Sequence, residues 1–418
     1  MHDFYYKSRR FCCESVDVTE VARSIGTPVY VYSHKTLTDH YKKWDRALSG
    51  VEHMICFSVK SSSNIAVIRA LVRCGAGLDI VSGGELFRAL TAGADPAKVV
   101  FAGVGKTEEE IALAIKEGIL MFTVESMGEL ELINKVAGSL STEARIAVRI
   151  NPDVDPGTHK YLKTGKKQSK FGLEMENAYE VYEAVNAMPN VAAKGIQMHI
   201  GSQITDAAPY VESLDKMVPF SERVRKICPG VEYLDIGGGM GIVYTNETPA
   251  TADDFAKAVL PLVKETGLKL IVEPGRFIAG NAGILVVMVL YVKRTPSKTF
   301  VIVDGGMNDL IRPALYGARH EIVPVVREER ETITADIVGP VCESGDFFAR
   351  EREIPAPRSG ELLAIMGAGA YCFSMSSNYN SRPRAAEVMV HGGEFEVVRK
   401  RETYEDLVRG ESVPDFLL

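Results

Sequence analysis

"EHMICFSVKSSSN", residues 52–64, reads as a short β-rich run that breaks into a polar turn with Lys60 at its tip. The pattern recurs seven times: "GLDIV" (77–81), "KVVFA" (98–102), "ILMFTV" (119–124), "ARIAVRI" (144–150), "AKGIQMHI" (193–200), "EYLDIG" (232–237) and "LKLIVE" (268–273). Between these runs lie segments of helical periodicity, such as "GELFRALTAG", "TEEEIALAIKEG" and "TADDFAKAVLPLVKETG". Short β runs alternating with helical ones predict βα units and a parallel sheet. Eight units over roughly 240 residues match the size of a closed (β/α)8 barrel. An open doubly wound sheet is the competing topology, but no G-x-G-x-x-G follows the first strand. The expected fold is therefore α/β, with a TIM-type barrel over residues 34–280.

The pattern changes after Gly280. "AGILVVMVLYVKR", "TFVIVD", "ADIVG", "GELLAIM", "AAEVMVHGG" and "EFEVVRK" read as strands joined by Gly, Pro and charged turns, with little helix between. They predict a second, all-β domain, sandwich- or barrel-like, over residues 281–418. The early β-branched run "TPVYVYS" (27–33) precedes the barrel, and residues 1–33 are expected to join that second domain.

The composition is consistent with two domains. The chain has 418 residues, 46% hydrophobic and 25% charged, which is ordinary globular composition. A formal net charge of −7 argues against nucleic acid or an anionic membrane as the main partner. The longest apolar run, "AGILVVMVLYV" (282–292), is far shorter than the roughly 20 residues of a membrane span. "MHDFYYKSRRFCCE" at the start has no apolar region of the secretory kind. Seven scattered cysteines include no C-x-x-C pair and no zinc spacing with histidine, so reduced thiols in a cytoplasm are expected and no metal. The adjacent Cys12 and Cys13 carry no functional reading.

In a barrel, chemistry belongs at the C-terminal ends of the strands. Lys60 stands at the first of these ends, either as an amine nucleophile in a partly buried mouth or as a solvated surface lysine. The sixth run ends in "MHIGSQ", with His199 and Ser202; a single histidine is more often structural than functional. The seventh runs into "LDIGGGMG" (234–241), whose glycines suit an anion-binding nest or simply a tight turn. Its position favours the former, because barrel phosphate sites form after strands seven and eight. The eighth ends in "VEPGRF", where Glu273 and Arg276 flank Pro274 and Gly275 and make either an ion pair or a catalytic pair. Together these ends supply an amine, a flat imidazole, a phosphate cradle and a carboxylate, the set that pyridoxal phosphate requires.

The ordered motifs "FSVKSSSN", "SKFGL", "MHIGSQ", "LDIGGGMGI", "EPGR", "DGGMNDLIRPALYGARHEI", "GPVCESGD" and "GAGAYCFSMSSNYN" span nearly the whole chain. In that order they resemble the diaminopimelate decarboxylase family, pyridoxal-phosphate enzymes of fold type III that join an alanine-racemase-like barrel to a β-domain. One departure is Ser61-Ser62-Ser63-Asn64, where the family more often has a small residue and then Asn. The resemblance implies decarboxylation of meso-2,6-diaminopimelate to L-lysine and CO2, the last step of lysine biosynthesis by that route. It implies that Lys60 takes the cofactor as a Schiff base, His199 stacks on its ring and Glu273 keeps the pyridine nitrogen protonated. Ser202, Gly239 and the turn Glu273-Pro274-Gly275-Arg276 would hold the phosphate end. Arg276, Arg312 and Tyr316 would contact the distal carboxylate of the substrate, Glu343 its distal ammonium, and Tyr371 both substrate and cofactor. Cys342 is the implied proton donor, and its loop commonly enters the partner's site in a homodimer.

The residue types suit those roles. A carboxylate at Glu273 stabilises a protonated ring that accepts the electrons left by decarboxylation, whereas an arginine there would favour racemase chemistry. Arg276 and Arg312 suit bidentate capture of a carboxylate. "IRPALY" sets Arg312 and Tyr316 close together around a proline, as one pocket wall or as an incidental surface turn. The thiol of Cys342, beside the Glu343 carboxylate that disfavours thiolate, retains a proton to donate. The rival readings are a decarboxylase for another basic amino acid, which would share the barrel motifs, and a catalytically silent relative, which would typically lack the lysine or the cysteine. Asp79 in "GLDIVSGGE" packs the barrel mouth or does more.

Overall fold

The computed structural model describes residues 2–155, 157 and 170–417; Ser169, the first residue of "SKFGL", lies outside the described residues. Contacts divide the chain into two units, Leu37–Ala279 and Met1–Thr36 with Gly280–Leu418.

In the first unit eight parallel strands close on themselves: His53–Ser58, Gly77–Ile80, Val99–Phe101, Met121–Val124, Ala144–Asn151, Val191–Met198, Tyr233–Asp235 and Lys269–Val272. Each pairs with the next. The eighth returns to the first through Leu270 opposite His53, Ile271 opposite Met54 and Val272 opposite Ile55. All eight lie on the runs read from the sequence. Such strands are covered by helices outside and filled by side chains inside, so they read as continuous apolar runs rather than as alternations. The second, third and fourth strands are buried at every residue. Cys56, Val100, Met121, Ala147 and Ile271 meet in one apolar cluster.

The intervening helices start and stop on local signals. Thr107 and Glu110 form a capping box at the start of Glu108–Glu117, which ends on Gly118 in the left-handed region. Thr251 and Asp254 do the same for Ala252–Thr266, which ends on Gly267. Each such N-cap is worth about 1 kcal/mol.

The second unit is built around Gly283–Arg294, a 12-residue strand that pairs with Thr299–Val303, Leu362–Ile365 and Val29–Ser33. Val29–Ser33, from the "TPVYVYS" run, is a central strand buried throughout, with Ala386–His391 parallel on its other side. Several elements here were not read from the sequence. A small sheet of Phe4–Lys7, Arg10–Cys13 and Val16–Asp17 has strands of two to four residues, too short for periodicity to register. The helix Val18–Ile25 follows it, capped by Asp17. Phe347–Pro355, "FFAREREIP", is rich in charge because it pairs on one side only, with Thr332–Val338. Cys13 is part of the apolar core under this sheet, with Phe4, Phe11, Val16 and Val18, and burial pushes its thiol well above the ordinary range. That gives Cys13 a packing role.

Barrel closure leaves no room for a side chain at Gly77, where a Cβ would lie 2.5 Å from the Lys98 carbonyl oxygen and 2.9 Å from Cys56 Sγ. Gly77→Ala should therefore lower the unfolding free energy by about 1–3 kcal/mol, the range for overpacking, measured by urea denaturation.

Candidate active site

The first barrel strand ends at Ser58, and a single 3-10 turn, Val59–Ser61, carries Lys60 beyond it. The Lys60 Nζ donates to Asp79 Oδ2 at 2.7 Å, and that oxygen also accepts from Ser58 Oγ at 2.7 Å. The Asp79 side chain is fully buried at the end of the second strand, whereas that of Lys60 is 37% exposed. The acid is thus a fixed counter-ion that aims the amine while leaving it reachable. The sequence signal for Asp79 was an acid inside an otherwise apolar strand, a placement that demands a partner.

Glu273 follows the eighth strand and is buried. Its Oε2 accepts from Gln197 Nε2 at 3.4 Å, while among the described residues Oε1 receives no hydrogen bond, and the Asp235 carboxyl interacts with this side chain. Burial first, then the charges of Asp235 and Asp79, push Glu273 well above the ordinary carboxyl range. Burial likewise pushes Asp235 up to about 7. The two carboxyls interact as a buried pair, and the Lys60 ammonium opposes part of the upward shift of Glu273.

His199 lies one residue past the sixth strand, Val191–Met198. Its Nδ1 accepts from the Gly238 N–H at 3.2 Å, which puts the ring proton on Nε2. Desolvation, with Arg149 and Lys60 nearby, holds its pKa well below the usual value. The ring is a neutral, flat surface. The glycines beside it are needed for close packing: a Cβ on Gly238 would run into the Glu273 carbonyl, and one on Gly239, at φ +116°, into Gly201 and Tyr210. Gly275 does the same between strands eight and one, where a Cβ would lie 3.0 Å from the Cβ atoms of Ser58 and Ser61. Ser58 N also donates to the carbonyl of Pro274 at 3.4 Å.

Arg276 is buried at the start of the short helix Arg276–Ala279. Its Nη2 donates to Ser202 Oγ at 3.0 Å and its Nη1 to Tyr244 Oη at 2.6 Å. Ser202 and Arg276 therefore meet, and Tyr244, which the sequence reading did not pick out, joins them from just beyond "GGGMG". Lys60, His199, Ser202, Gly239, Glu273, Pro274, Gly275 and Arg276 all lie at the C-terminal ends of strands one, six, seven and eight.

The other candidates belong to the second unit. Arg312 and Tyr316 bound the one-turn helix Arg312–Tyr316, which has Pro313 in its first turn and ends on left-handed Gly317. Arg312 is buried and Tyr316 half-buried. Cys342 and Glu343 are exposed on a loop. The Cys342 N–H donates to Asn380 Oδ1 at 2.7 Å, and Glu343 Oε1 accepts from the Gly345 N–H at 3.3 Å. The base of the loop is held by Asp346, which accepts from the N–H groups of Val341 and Met307, each at 2.6 Å. Tyr371 has φ +57°, an uncommon conformation for a non-glycine residue.

The barrel-borne residues fit pyridoxal phosphate. The buried Glu273 Oε1, with no N–H directed at it, suits a protonated ring nitrogen, and the neutral ring of His199 suits an aromatic face. Lys60 supplies the amine, while Arg276 and Ser202 supply cationic and hydroxyl donors for an anion.

Comparison with known proteins agrees. The family described as "Pyridoxal-dependent decarboxylase, pyridoxal binding domain" matches residues 34–280. The chain is 48% identical to a diaminopimelate decarboxylase of Aquifex aeolicus, covering 96% of each chain. It is 46% identical to one from Vibrio cholerae, covering 98% of each. The solved diaminopimelate decarboxylase of M. jannaschii in complex with L-lysine superposes with a TM-score of 0.95, at 36% identity and 100% coverage of both chains. The chain belongs to the diaminopimelate decarboxylase family.

The carboxyl pair has a pH signature. Unfolded, these acids lose their protons near pH 4; folded without cofactor, they hold them to higher pH, Asp235 to about 7. The pair therefore favours the folded state fully below about pH 4, and that contribution is lost as pH rises toward 7. Asp235→Asn in the cofactor-free protein should flatten the decline of Tm across this window, measured by calorimetry at several pH values.

Proposed function

We propose that this chain performs the pyridoxal-phosphate-dependent decarboxylation of meso-2,6-diaminopimelate to L-lysine and CO2, the last step of lysine biosynthesis by the diaminopimelate route. The observation that carries this reading is the buried Glu273 carboxyl at the end of strand eight, close enough to Lys60 to interact electrostatically, in a chain of this family. When bound, pyridoxal phosphate supplies a sink for the electron pair left on the carbon that loses CO2.

Each side chain has a task. Lys60 Nζ, aimed by Asp79, is the covalent anchor. His199 offers its neutral face to the ring, and Glu273 holds a proton on the ring nitrogen. Ser202, Gly239, Pro274, Gly275 and Arg276 hold the phosphate end, and Tyr371 reaches cofactor and substrate. Arg276, Arg312 and Tyr316 take the distal carboxylate and Glu343 the distal ammonium, so that a substrate with a second amino-acid head is distinguished from ornithine or arginine. Cys342 Sγ delivers a proton to the carbon that has lost CO2. In a single chain Cys342 and Glu343 are open to solvent, whereas a proton donor works best where water is excluded. A homodimer in which the loop of one copy completes the barrel site of the other meets that need. Seven free cysteines agree with a cytoplasmic enzyme, and among the described residues no helix is long and apolar enough to cross a membrane.

The purified protein with pyridoxal phosphate should show cofactor absorbance that depends on Lys60, and release CO2 from meso-diaminopimelate but not from ornithine, arginine or lysine. Turnover of one of these three instead would overturn the substrate assignment. Cys342→Ala should lower kcat by about 10²–10⁴-fold with the cofactor absorbance unchanged. Mixing Lys60→Ala with Cys342→Ala subunits should restore activity through hybrid dimers; no recovery would remove the shared site.

A further inference from the structure

Arg312 contacts a polar side chain that is itself buried. Arg312 Nη1 lies 2.9 Å from His320 Nε2, and His320 Nδ1 lies 2.7 Å from the carbonyl oxygen of Met366. His320 is fully buried and Arg312 is 5% exposed. We propose that His320 is a positioning residue for substrate binding, holding the Arg312 guanidinium in the orientation that receives the distal carboxylate. This rests on the assignment of Arg312 to that carboxylate.

The chemistry of the three groups leaves one arrangement. A guanidinium can only donate, so His320 Nε2 accepts; a carbonyl can only accept, so Nδ1 carries the hydrogen. An imidazolium would present an N–H and a second positive charge to Arg312, so only the neutral ring with its hydrogen on Nδ1 satisfies both neighbours. A neutral acceptor has a further effect: it fixes the N–H direction without cancelling the positive charge, as a carboxylate in the same place would.

The anchor of the ring is rigid. Ile322–Pro324 pairs with Leu362–Ile365, and the Met366 N–H donates to the Glu321 carbonyl at 2.8 Å, so both ends of the His320 contact are tied to one sheet. The His320 carbonyl also accepts from Arg352 Nη1 at 3.0 Å. Arg312, by contrast, sits on a helix of five residues, bounded by Pro313 at its start and Gly317 at its end. So short a helix fixes a backbone position but not the rotamers of a long side chain, which lose considerable entropy when held. The sheet-mounted imidazole adds a restraint on the guanidinium, which arrives pre-oriented.

The test compares His320→Leu, His320→Gln and Arg312→Leu in the full-length holoenzyme. His320→Leu removes the acceptor and should raise KM for meso-diaminopimelate ten- to hundredfold, weaken inhibition by L-lysine by a similar factor, and leave kcat within about threefold. Affinity for pyridoxal phosphate, read by absorbance, should not change. His320→Gln, whose amide oxygen reaches toward the Nε2 position, should recover most of the loss, which a purely structural histidine would not predict. If the leucine variant does not fold, His320→Asn, which keeps a donor for Met366 but falls short of Arg312, must show the same KM defect. An unchanged KM in the His320 variants, with a raised KM in Arg312→Leu, would overturn the positioning role. Equal loss of cofactor affinity, or no recovery in the glutamine variant, would also overturn it. An unchanged KM and lysine inhibition in Arg312→Leu would instead remove the assignment of Arg312 itself.

Discussion

Closure of the parallel ladder is the constraint on which the barrel site depends. Lys60 and Glu273 lie at opposite ends of the barrel sequence, and they become neighbours because Lys269–Val272 hydrogen-bonds to His53–Ser58. The contact is then locked by details that tolerate no larger side chain. Ser58 Oγ donates to the Glu273 carbonyl at 3.0 Å, and Gly275 lets the last strand end lie against Ser58 and Ser61. Because strands one to eight run in the same direction, every strand contributes its C-terminal end to the same mouth. No local feature of the Lys60 turn or of the "EPGR" turn could achieve this separately.

Within that mouth the electrostatics are unbalanced. Asp79, Asp235 and Glu273 are all buried, and among the described residues Lys60 bonds to Asp79 but no ammonium or guanidinium hydrogen bond reaches the other two. Buried acids of like charge protonate rather than ionise together, which accounts for the upward shifts of Asp235 and Glu273. Such an arrangement is costly for a protein that binds nothing, and it becomes favourable when a cationic heterocycle is present. The neutral state of His199 follows the same logic, since an imidazolium near Arg149 and Lys60 would add repulsion. The excess of carboxyl groups and the deprotonated histidine are two sides of a site prepared for a ring that carries its own positive charge.

The second unit solves a different problem, which is to hold loops rather than strand ends. Its side chains of interest sit on a one-turn helix and on the loop that carries Cys342 and Glu343, each closed by a few backbone hydrogen bonds of its own. Buried polar groups do the holding: Asp346 takes two backbone N–H groups at the base of the Cys342 loop, and His320 transmits the position of the sheet to Arg312. Removing such a group leaves its partner unsatisfied in a dry interior, so these residues matter more than their lack of direct chemistry suggests.

The amino-acid sequence by itself determined the eight barrel strands, because strands buried on both faces must be apolar along their length, and most of the strands of the second unit, which show as short β-rich runs between turns. It also determined that Lys60, His199, Glu273 and Arg276 fall at strand ends, since polar residues that follow such runs have nowhere else to lie. It did not reveal the N-terminal sheet, whose strands are too short to show a period, or the edge strand Phe347–Pro355, whose exposed side carries charge. Nor could it show that Asp79 pairs with Lys60, that Asp235 and Glu273 are buried together, that Tyr244 meets Arg276, or that His320 holds Arg312. Those are pairings across elements, and only the tertiary structure decides them. Apolar burial is written into each segment by its own composition, whereas the partner of a buried polar group depends on which other segment the closed sheet brings within hydrogen-bonding distance.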